Sequence, residues 1–504
     1  MRALISVYNK DGLDNLCKIL DSAGCDIYST GGTLDYIKNL EINVTSVEEL
    51  TGQKEFLRGR VKTLHPKIHG AILADTKNPK HLSDLKIFNI IPFDFVINNL
   101  YPFEEILNNP NSSPEEIIEN IDIGGPAMLR AAAKNFSNVT VLVDPKDYKQ
   151  FSEKFIKKEI DSTYRKYLAK KVFKTTSDYD LKIFDYFNNN DIEQKIPDSI
   201  YIKQYKVKNL RYGENPHQSS GLFTSNNKGV ANAKLLHGKE MSYLNYLDAD
   251  AAFTASNAFP EKCVSIVKHT NTCGLSYQTN QLEAYNQALK GDPISAFGGI
   301  VGLNSKLELD TALEISKTFY DVIIAPSFSK PAFEILKKKK NVRLLSSDFF
   351  KEKYEFRTIN GGLLFQEKDN DLDKPSNWSF VTKIKPSEDL IENLNFSYQS
   401  TKFIKSNAIV ITEGNSILGI GSGQPNRINS VNLALNRARD YITSNSILAS
   451  DAFFPFPDSI DIAAKNNIKT IIQPGGSIKD DEVIERADKY NISMIFTNRR
   501  HFSH

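Results

Sequence analysis

Short runs of buried-strand character alternate with stretches of helical periodicity in the first third of this chain, and that alternation restricts the possible folds severely. Ala3 to Tyr8, Asp26 to Ser29, Phe93 to Asn98 and Val139 to Val143 are apolar enough for buried strands, while Leu13, Leu16, Ile19 and Leu20 fall on one helix face. Strand, helix, strand in this order predicts a parallel sheet covered on both faces, and such sheets bind ligands beyond the carboxyl ends of their strands. From Leu210 onward the alternation resumes, with strands expected at Val264 to Lys268, Val322 to Ala325, Ala408 to Thr412 and Thr470 to Gln473. Amphipathic helices are expected at Leu282 to Leu289, Thr311 to Thr318 and Val431 to Arg439. Tyr148 to Lys174 is charged and reads as exposed helix. Asn188 to Ser199, with its run Asn188-Asn189-Asn190 and Pro197, reads as a linker. The chain is therefore expected to be α/β throughout, with domains at 1–195, 200–370 and 371–504, the last boundary falling in the polar stretch Lys368 to Pro386.

At 504 residues each of these domains is large enough to bury its own core. The 63 basic and 61 acidic residues nearly cancel, and the longest basic run is Lys337 to Lys340, so neither nucleic acid nor an anionic membrane is expected as partner. Cys17, Cys25, Cys263 and Cys273 are scattered without a C-x-x-C pair, which argues against a disulfide framework or structural zinc and fits a reducing cytoplasm. The strand-like run begins at once after Met1, and no stretch approaches 18 consecutive apolar residues. We therefore expect no signal peptide and a soluble, cytosolic protein.

Two Lys-centred groups stand out. In the front third, Ser29-Thr30-Gly31-Gly32-Thr33 follows a strand and precedes a helical run, where glycines let backbone N–H groups approach an anion and the helix N-terminus adds positive potential. By itself this is equally a plain strand-to-helix turn. It gains weight from Lys10 at the end of the first strand, from Gly59-Arg60-Val61-Lys62-Thr63, from Asn98-Asn99-Leu100-Tyr101 and from Asp122-Ile123-Gly124-Gly125-Pro126 leading toward Lys134. A phosphate is expected in the Ser29 to Thr33 turn. In the back half, Arg211-Tyr212 offers a guanidinium fork and a stacking platform, and Lys268-His269 ends a strand, pairing a fixed cation with a group that titrates near neutrality. For both side chains to reach one substrate the chain must bend, and the bend is expected at Asn271 to Gly274. Phe453 to Phe456 reads as core, or alternatively as an apolar slot for a flat ring. G-x-x-x-x-G-K-[ST], H-E-x-x-H and P-C-x-x-C motifs are missing from the sequence.

With those residues in view, the chain resembles the bifunctional AICAR transformylase/IMP cyclohydrolase family of purine biosynthesis. The segments S-T-G-G-T, G-R-V-K-T-L-H-P-K-I-H-G, N-L-Y-P-F, D-I-G-G-P-A-M-L-R-A-A-A-K-N, R-Y-G-E-N-P-H-Q, F-G-G-I-V, S-D-A-F-F-P-F and I-I-Q-P-G-G-S follow that family's order and spacing. The resemblance implies a methylglyoxal-synthase-like front domain, two cytidine-deaminase-like back subdomains without zinc, and a homodimer. It implies that 10-formyltetrahydrofolate serves as co-substrate, with no cofactor tightly bound, and that AICAR and its formylated product FAICAR are the other ligands. In cyclisation, Lys134 would move protons, with Lys62, Tyr101, Asp122, Arg60, Thr63, Asn98, Asn99 and Ile123 around the ring, and Lys10 and Ser29 to Thr33 on the phosphate. In formyl transfer, His269 would be the base and Lys268 the charge stabiliser, with Arg211, Tyr212, Gly298, Asp321, Asn407 and Arg427 on the nucleotide and Ile428, Phe453, Asp458, Ser477 and Arg500 on the folate. Tyr8, Thr272, Asn426 and Pro457 depart from the family's usual residues. Two rivals stay open on the sequence: a single-activity phosphosugar lyase of the methylglyoxal-synthase type, and a non-catalytic purine-nucleotide sensor.

Overall fold

The computed structural model describes residues 1–57, 60–188, 196–260, 262–371 and 373–504, so Gly59 and the run Asn189 to Lys195 lie outside the described residues. The chain divides into two compact units, Met1–Lys195 and Ile196–His504.

In the first unit β1 (Arg2–Val7), β2 (Asp26–Ser29), β3 (Val44–Ser46), β4 (Phe95–Asn99) and β5 (Thr140–Leu142) form one parallel sheet in the order β3-β2-β1-β4-β5. Ala3, Leu4 and Ile5 are consecutive and all buried. Successive strand residues face opposite ways, so both faces of the sheet are covered, which is why β1 carries the apolar run Ala3-Leu4-Ile5. The charged stretch after residue 147 is not an exposed helix. It forms two helices, Tyr148–Ile156 and Ser162–Asn188, and Phe151, Tyr164, Leu168 and Val172 are buried in the core. Lysines on the outer face dominate the composition, while Tyr164, Leu168 and Val172 recur every fourth residue and form the inner stripe.

In the second unit β6 (Tyr205–Leu210) and β7 (Ser220–Thr224) make a separate hairpin. The main sheet begins with β8 (Lys234–His237), β9 (Lys262–Lys268), β10 (Asn271–Gln278), β11 (Ile300–Leu303), β12 (Val322–Ala325) and β13 (Arg343–Ser346). A second hairpin, β14 (Tyr354–Ile359) with β15 (Gly362–Glu367), stands apart from it. The sheet continues with β16 (Ser379–Phe380), β17 (Ile409–Glu413), β18 (Ser416–Gly421), β19 (Ile447–Ser450), β20 (Thr470–Gln473) and β21 (Ser493–Phe496). Its twelve strands run in the order β16-β21-β20-β19-β17-β18-β10-β9-β11-β12-β13-β8.

The strand directions decide where a ligand meets this sheet. β19, β20 and β21 are parallel, as are β11, β12 and β13, and each step from β19 through β17, β18, β10 and β9 to β11 is antiparallel. One edge of the sheet therefore collects the carboxyl ends of β19 to β21, β18 and β9 together with the amino ends of β17, β10, β11 and β12. The rule that ligands lie beyond the carboxyl ends describes only part of this edge. All four cysteines are free and buried. Among the described residues no helix is long and apolar enough to cross a membrane, and no cluster of His, Cys, Asp and Glu could hold a metal ion.

Candidate active sites

In the first unit the site grows from the carboxyl edge of the parallel sheet. β1 ends at Val7 and releases Tyr8 to Lys10; β2 ends at Ser29 and leads through Thr30 into the Gly31–Asn39 helix. That helix makes its first backbone bond from Leu34 N–H to Thr30 O, so the amides of Gly31, Gly32 and Thr33 precede the internal ladder and face the edge. Gly31 has φ 54°, and a Cβ there would lie 3.3 Å from Lys62 Nζ. Glycine at 31 thus lets a cation approach the helix mouth. Two of the expected hydroxyl donors are spent on structure, however. Ser29 Oγ donates to Ile5 O at 2.7 Å, and Thr33 Oγ1 both accepts from Val7 N–H (3.0 Å) and donates to Val7 O (2.9 Å). They lock the strands rather than offering hydroxyls to a phosphate; Thr30, the helix amides, Lys10 and Lys62, the last paired with Glu55 at 2.9 Å, remain at this edge.

Asn99 clamps the loop after β1: its Oδ1 accepts from Tyr8 N–H (2.7 Å) and Asn9 N–H (2.9 Å), and its Nδ2 donates to Asn9 O (2.9 Å). Tyr8, which departs from the family's usual residue, meets the exposed Tyr101 ring edge-on at 5.8 Å. Asn98 is 3 % exposed; its Nδ2 donates to Ser6 O at 2.7 Å, but its Oδ1 is buried with no hydrogen-bond partner. Buried amide oxygens are rarely left orphaned, so this atom asks for a donor from water or ligand at the edge. Asp122 ties the remaining pieces together. Its carboxylate accepts from Gly125 N–H at 2.8 Å and from the Tyr101 and Gly124 amides. Burial pushes its carboxyl above the ordinary value against the pull of those three bonds. A Cβ on Gly124 would lie 3.1 Å from Thr63 Oγ1, which brings the Lys62-Thr63 segment to the same place. Ile123 is exposed beside it.

Two expected members are engaged otherwise or lie elsewhere. Arg60 is exposed and pairs with Glu119, with Nε 3.2 Å from Oε1. Lys134 ends the Gly124–Lys134 helix, about 15 Å along its axis from Gly124 at 1.5 Å per residue. The next residue, Asn135, donates to Ile72 O and Ala74 O, and the chain then enters the amino end of β5. The helix runs antiparallel to the strands, so Lys134 lies across the sheet from Asp122. One chain does not bring Lys134 to this edge.

In the second unit, the expected residues arrive along the sheet edge described above. Lys268 ends β9, and its Nζ donates to Phe297 O at 2.8 Å, 3.9 Å from where a Gly298 Cβ would stand. Gly298 precedes β11, and Asp321 precedes β12, its N–H on Gly299 O at 2.9 Å. The bend occurs earlier than expected. His269 (φ 53°) and Thr270 (φ 57°) form the two-residue turn between β9 and β10, while Thr272 to Gly274 contains only a bulge. Thr272, where the family usually has proline, donates its hydroxyl to Phe403 O at 2.8 Å. Left-handed backbone costs roughly 1–2 kcal/mol for each residue with a Cβ, so this turn is strained.

Beyond β10 the loop after β18 leans back, Ser422 Oγ donating to Asn271 Oδ1 at 3.2 Å. Arg427 opens the Arg427–Ala438 helix and is buried; it donates to Ser450 Oγ and Asn407 Oδ1, both at 2.8 Å, and to Asp451. Asp451 also accepts from Ser406 Oγ at 2.7 Å. Arg427 and Asn407 are therefore joined, and Asp451 is the buried anion that holds them. Asn426 caps the helix by accepting from Ile428 N–H at 3.0 Å, so this departure keeps a capping residue. After β19, Phe454 is core, as expected, whereas Phe453 and Phe456 are exposed. Pro457 and Asp458 begin the next helix, Ser477 follows β20, and Arg500 follows β21 with its guanidinium 4.3 Å from the Phe502 ring. Arg211 and Tyr212 follow β6, cation 5.6 Å from ring, on a hairpin whose Lys208 lies 5.5 Å over Tyr246. That hairpin is a sheet of its own, separate from the twelve-stranded one.

Sequence reasoning missed Asp248, Asp451 and His501. The last is buried in the tail beside Arg500, its backbone N–H on Asp451 O at 3.0 Å and its Nε2 2.5 Å from Asp373, with Asp369 on Nδ1. Burial works against the imidazolium, but the bonds to Asp369 and Asp373 win and raise its pKa above the ordinary 6.5. Burial likewise opposes charge on Asp369, yet His501 and Lys402 hold it below the ordinary 3.8. A raised histidine contributes stability below its unfolded value and loses it as pH rises through the folded value. The melting-temperature difference between the protein and His501→Gln is therefore expected to be largest between the unfolded values of these two groups and to shrink as pH climbs above 6.5. A difference independent of pH in differential scanning calorimetry would contradict it.

A family model described as AICARFT/IMPCHase bienzyme matches residues 132–437, and a model of the MGS-like domain matches residues 12–127. The chain belongs to the AICARFT/IMPCHase bienzyme family. Relatives named bifunctional purine biosynthesis protein PurH are 47 % identical in Leptospira biflexa, 46 % in Caldicellulosiruptor saccharolyticus and 44 % in Lactococcus lactis, each over 100 % of this chain and 99 % of the relative. As a member of the AICARFT/IMPCHase family, the protein is a bifunctional purine biosynthesis enzyme with AICAR formyltransferase and IMP cyclohydrolase activities. The match over the full chain favours this reading over the lone lyase and the sensor.

Proposed function

We propose that the two activities use the two edges just described, formyl transfer at the mixed edge of the twelve-stranded sheet and ring closure at the carboxyl edge of the parallel sheet. The observation that carries this is the convergence of Lys268, His269, Gly298, Asp321, Asn407 and Arg427, from strands far apart in sequence, on one edge of a continuous sheet. The exocyclic amine of AICAR attacks the formyl carbon of 10-formyltetrahydrofolate. That amine is a weak nucleophile because its lone pair spreads into the ring and the neighbouring carboxamide. His269 takes its proton, Lys268 holds the oxyanion of the tetrahedral intermediate, and tetrahydrofolate leaves as the breaking C–N bond gives its nitrogen the electron pair that takes up that proton. Arg427 and Asn407 orient the nucleotide; Ile428, Phe453, Asp458, Ser477 and Arg500 follow strand ends on the folate side of the same edge.

Ring closure is intramolecular. The carboxamide nitrogen of FAICAR attacks its own formyl carbon and water departs, so positioning supplies much of the acceleration. The Gly31 to Thr33 amides with Lys10 and Lys62 hold the ribose phosphate, and Tyr101 and Asp122 face the closing ring. Lys134 is given no part in this set. No tightly bound cofactor is needed for either step. A cytoplasmic homodimer is the assembly we propose, and the exposed apolar side chains of the β14–β15 hairpin, Phe356, Ile359, Leu363 and Leu364, support a surface that is covered in solution. Neither nucleic acid nor membrane is a proposed partner.

Mixing two crippled proteins tests the separation of sites. His269→Ala, lacking transfer, and Asp122→Asn, lacking closure, should together convert AICAR to IMP although neither does so alone. A mixture as inactive as its components would contradict two independent sites.

A further inference from the structure

The turn that carries His269 is built against its own residue preferences. A two-residue hairpin turn with positive φ at both central positions favours Asn-Gly or Asp-Gly, because a Cβ crowds the following carbonyl in that region. Here the positions hold His269 and Thr270, the second β-branched. Bonds within the turn do not satisfy its N–H groups, since Thr270 Oγ1 and Asn271 Nδ2 both donate to the His269 carbonyl, at 2.7 and 2.8 Å. The two turn amides instead meet one carboxylate from another element. His269 N–H donates to Asp248 Oδ2 at 3.1 Å and Thr270 N–H to Asp248 Oδ1 at 2.7 Å. Asp248 is half-buried on the Tyr243–Ser256 helix, which packs against β9 and β11, and that helix starts from a capping box of Ser242 and Asn245.

We infer that Asp248 is a positioning residue for formyl transfer, its carboxylate clamping the His269–Thr270 turn in the left-handed geometry that presents the His269 imidazole at the sheet edge. The inference rests on the reading of His269 as the base. Only an ionised carboxylate offers two acceptors at this spacing to two adjacent N–H groups. An amide replaces one acceptor with a donor that confronts an N–H, and alanine removes both. Without the clamp the turn relaxes toward angles that residues with a Cβ prefer, and the imidazole leaves its place while the nucleotide-holding groups stay.

The test is steady-state kinetics of the full-length protein with AICAR and 10-formyltetrahydrofolate, alongside closure of supplied FAICAR on the same samples. Asp248→Ala should lower kcat for transfer about 10²-fold, the loss expected for a displacement near 1 Å, with KM for AICAR changed by less than about threefold. Glycine enters the left-handed region without penalty, so Asp248→Ala/Thr270→Gly should regain about tenfold, which a general weakening of the helix would not allow. Should Asp248→Ala fail to fold, Asp248→Asn carries the test with an expected loss of about tenfold. Unchanged kcat in the Asp248 variants, or a loss that Thr270→Gly leaves unrelieved, overturns the inference. Failure of the underlying reading looks different: His269→Ala would then transfer formyl at the parent rate whatever Asp248 does.

Discussion

Replacing His269 with alanine is expected to lower formyl transfer by about 10²–10⁴-fold, the usual contribution of general-base catalysis, while FAICAR supplied directly is still closed to IMP at the parent rate. The imidazole stands on an exposed two-residue turn, so its removal opens no cavity and unpairs no buried group. Two contacts support the loss as chemical. Lys268 remains fixed on Phe297 O beside Gly298, and the Arg427, Asn407 and Asp451 network is untouched, so AICAR still finds its seat. KM for AICAR should therefore move little while kcat collapses. Absorbance assays of tetrahydrofolate release and of IMP formation separate the two activities in one preparation. Transfer at the parent rate in His269→Ala removes the proposed base.

Asp122→Asn is expected to do the reverse, stopping closure by about 10²-fold or more while transfer continues, so that FAICAR accumulates. Asparagine keeps the shape of the side chain and one acceptor for the Gly125 amide, while its NH2 group confronts an amide that the second carboxylate oxygen accepted from. What disappears is the charge and its titration. Burial holds the Asp122 carboxyl above its ordinary value, which places its proton exchange closer to neutrality than that of an exposed aspartate. The acid limb of the closure profile should accordingly lie above the ordinary aspartate value of 3.8 in the parent protein and vanish in the variant. Chromatography of the reaction mixture shows which nucleotide builds up. Prompt IMP formation by Asp122→Asn would free Asp122 of any role in closing the ring.

Much of this architecture was legible in the sequence because the signals were local. Ala3 to Ile5 and Val322 to Ala325 read as strands because every residue is apolar, and every residue is apolar because both sheet faces are covered. The Gly31-Gly32 turn was legible because only a helix mouth explains paired glycines after a strand. The misreadings have physical causes. Tyr148 to Lys174 hid a buried stripe under outward lysines that outnumber it. The motif predicts a phosphate at Ser29 and Thr33, while their hydroxyls bind the β1 backbone, a choice made by strand neighbours that no spacing reveals. The bend is expected at Asn271 to Gly274 because Lys268 and His269 must both reach one substrate. It falls on His269 and Thr270 because a distant carboxylate, Asp248, compensates for the missing turn residues. Lys134 shows the limit of carrying a motif residue by residue: eleven helical residues separate its two ends across the sheet.

The most direct measurement is a crystal structure of the full-length protein grown with AICAR and, separately, with IMP. Nucleotide density is expected beside Lys268, His269 and Arg427 in the second unit and beside Gly31, Lys62 and Asp122 in the first. Both crevices empty at saturating nucleotide, with the ligand bound elsewhere on the chain, would contradict the account.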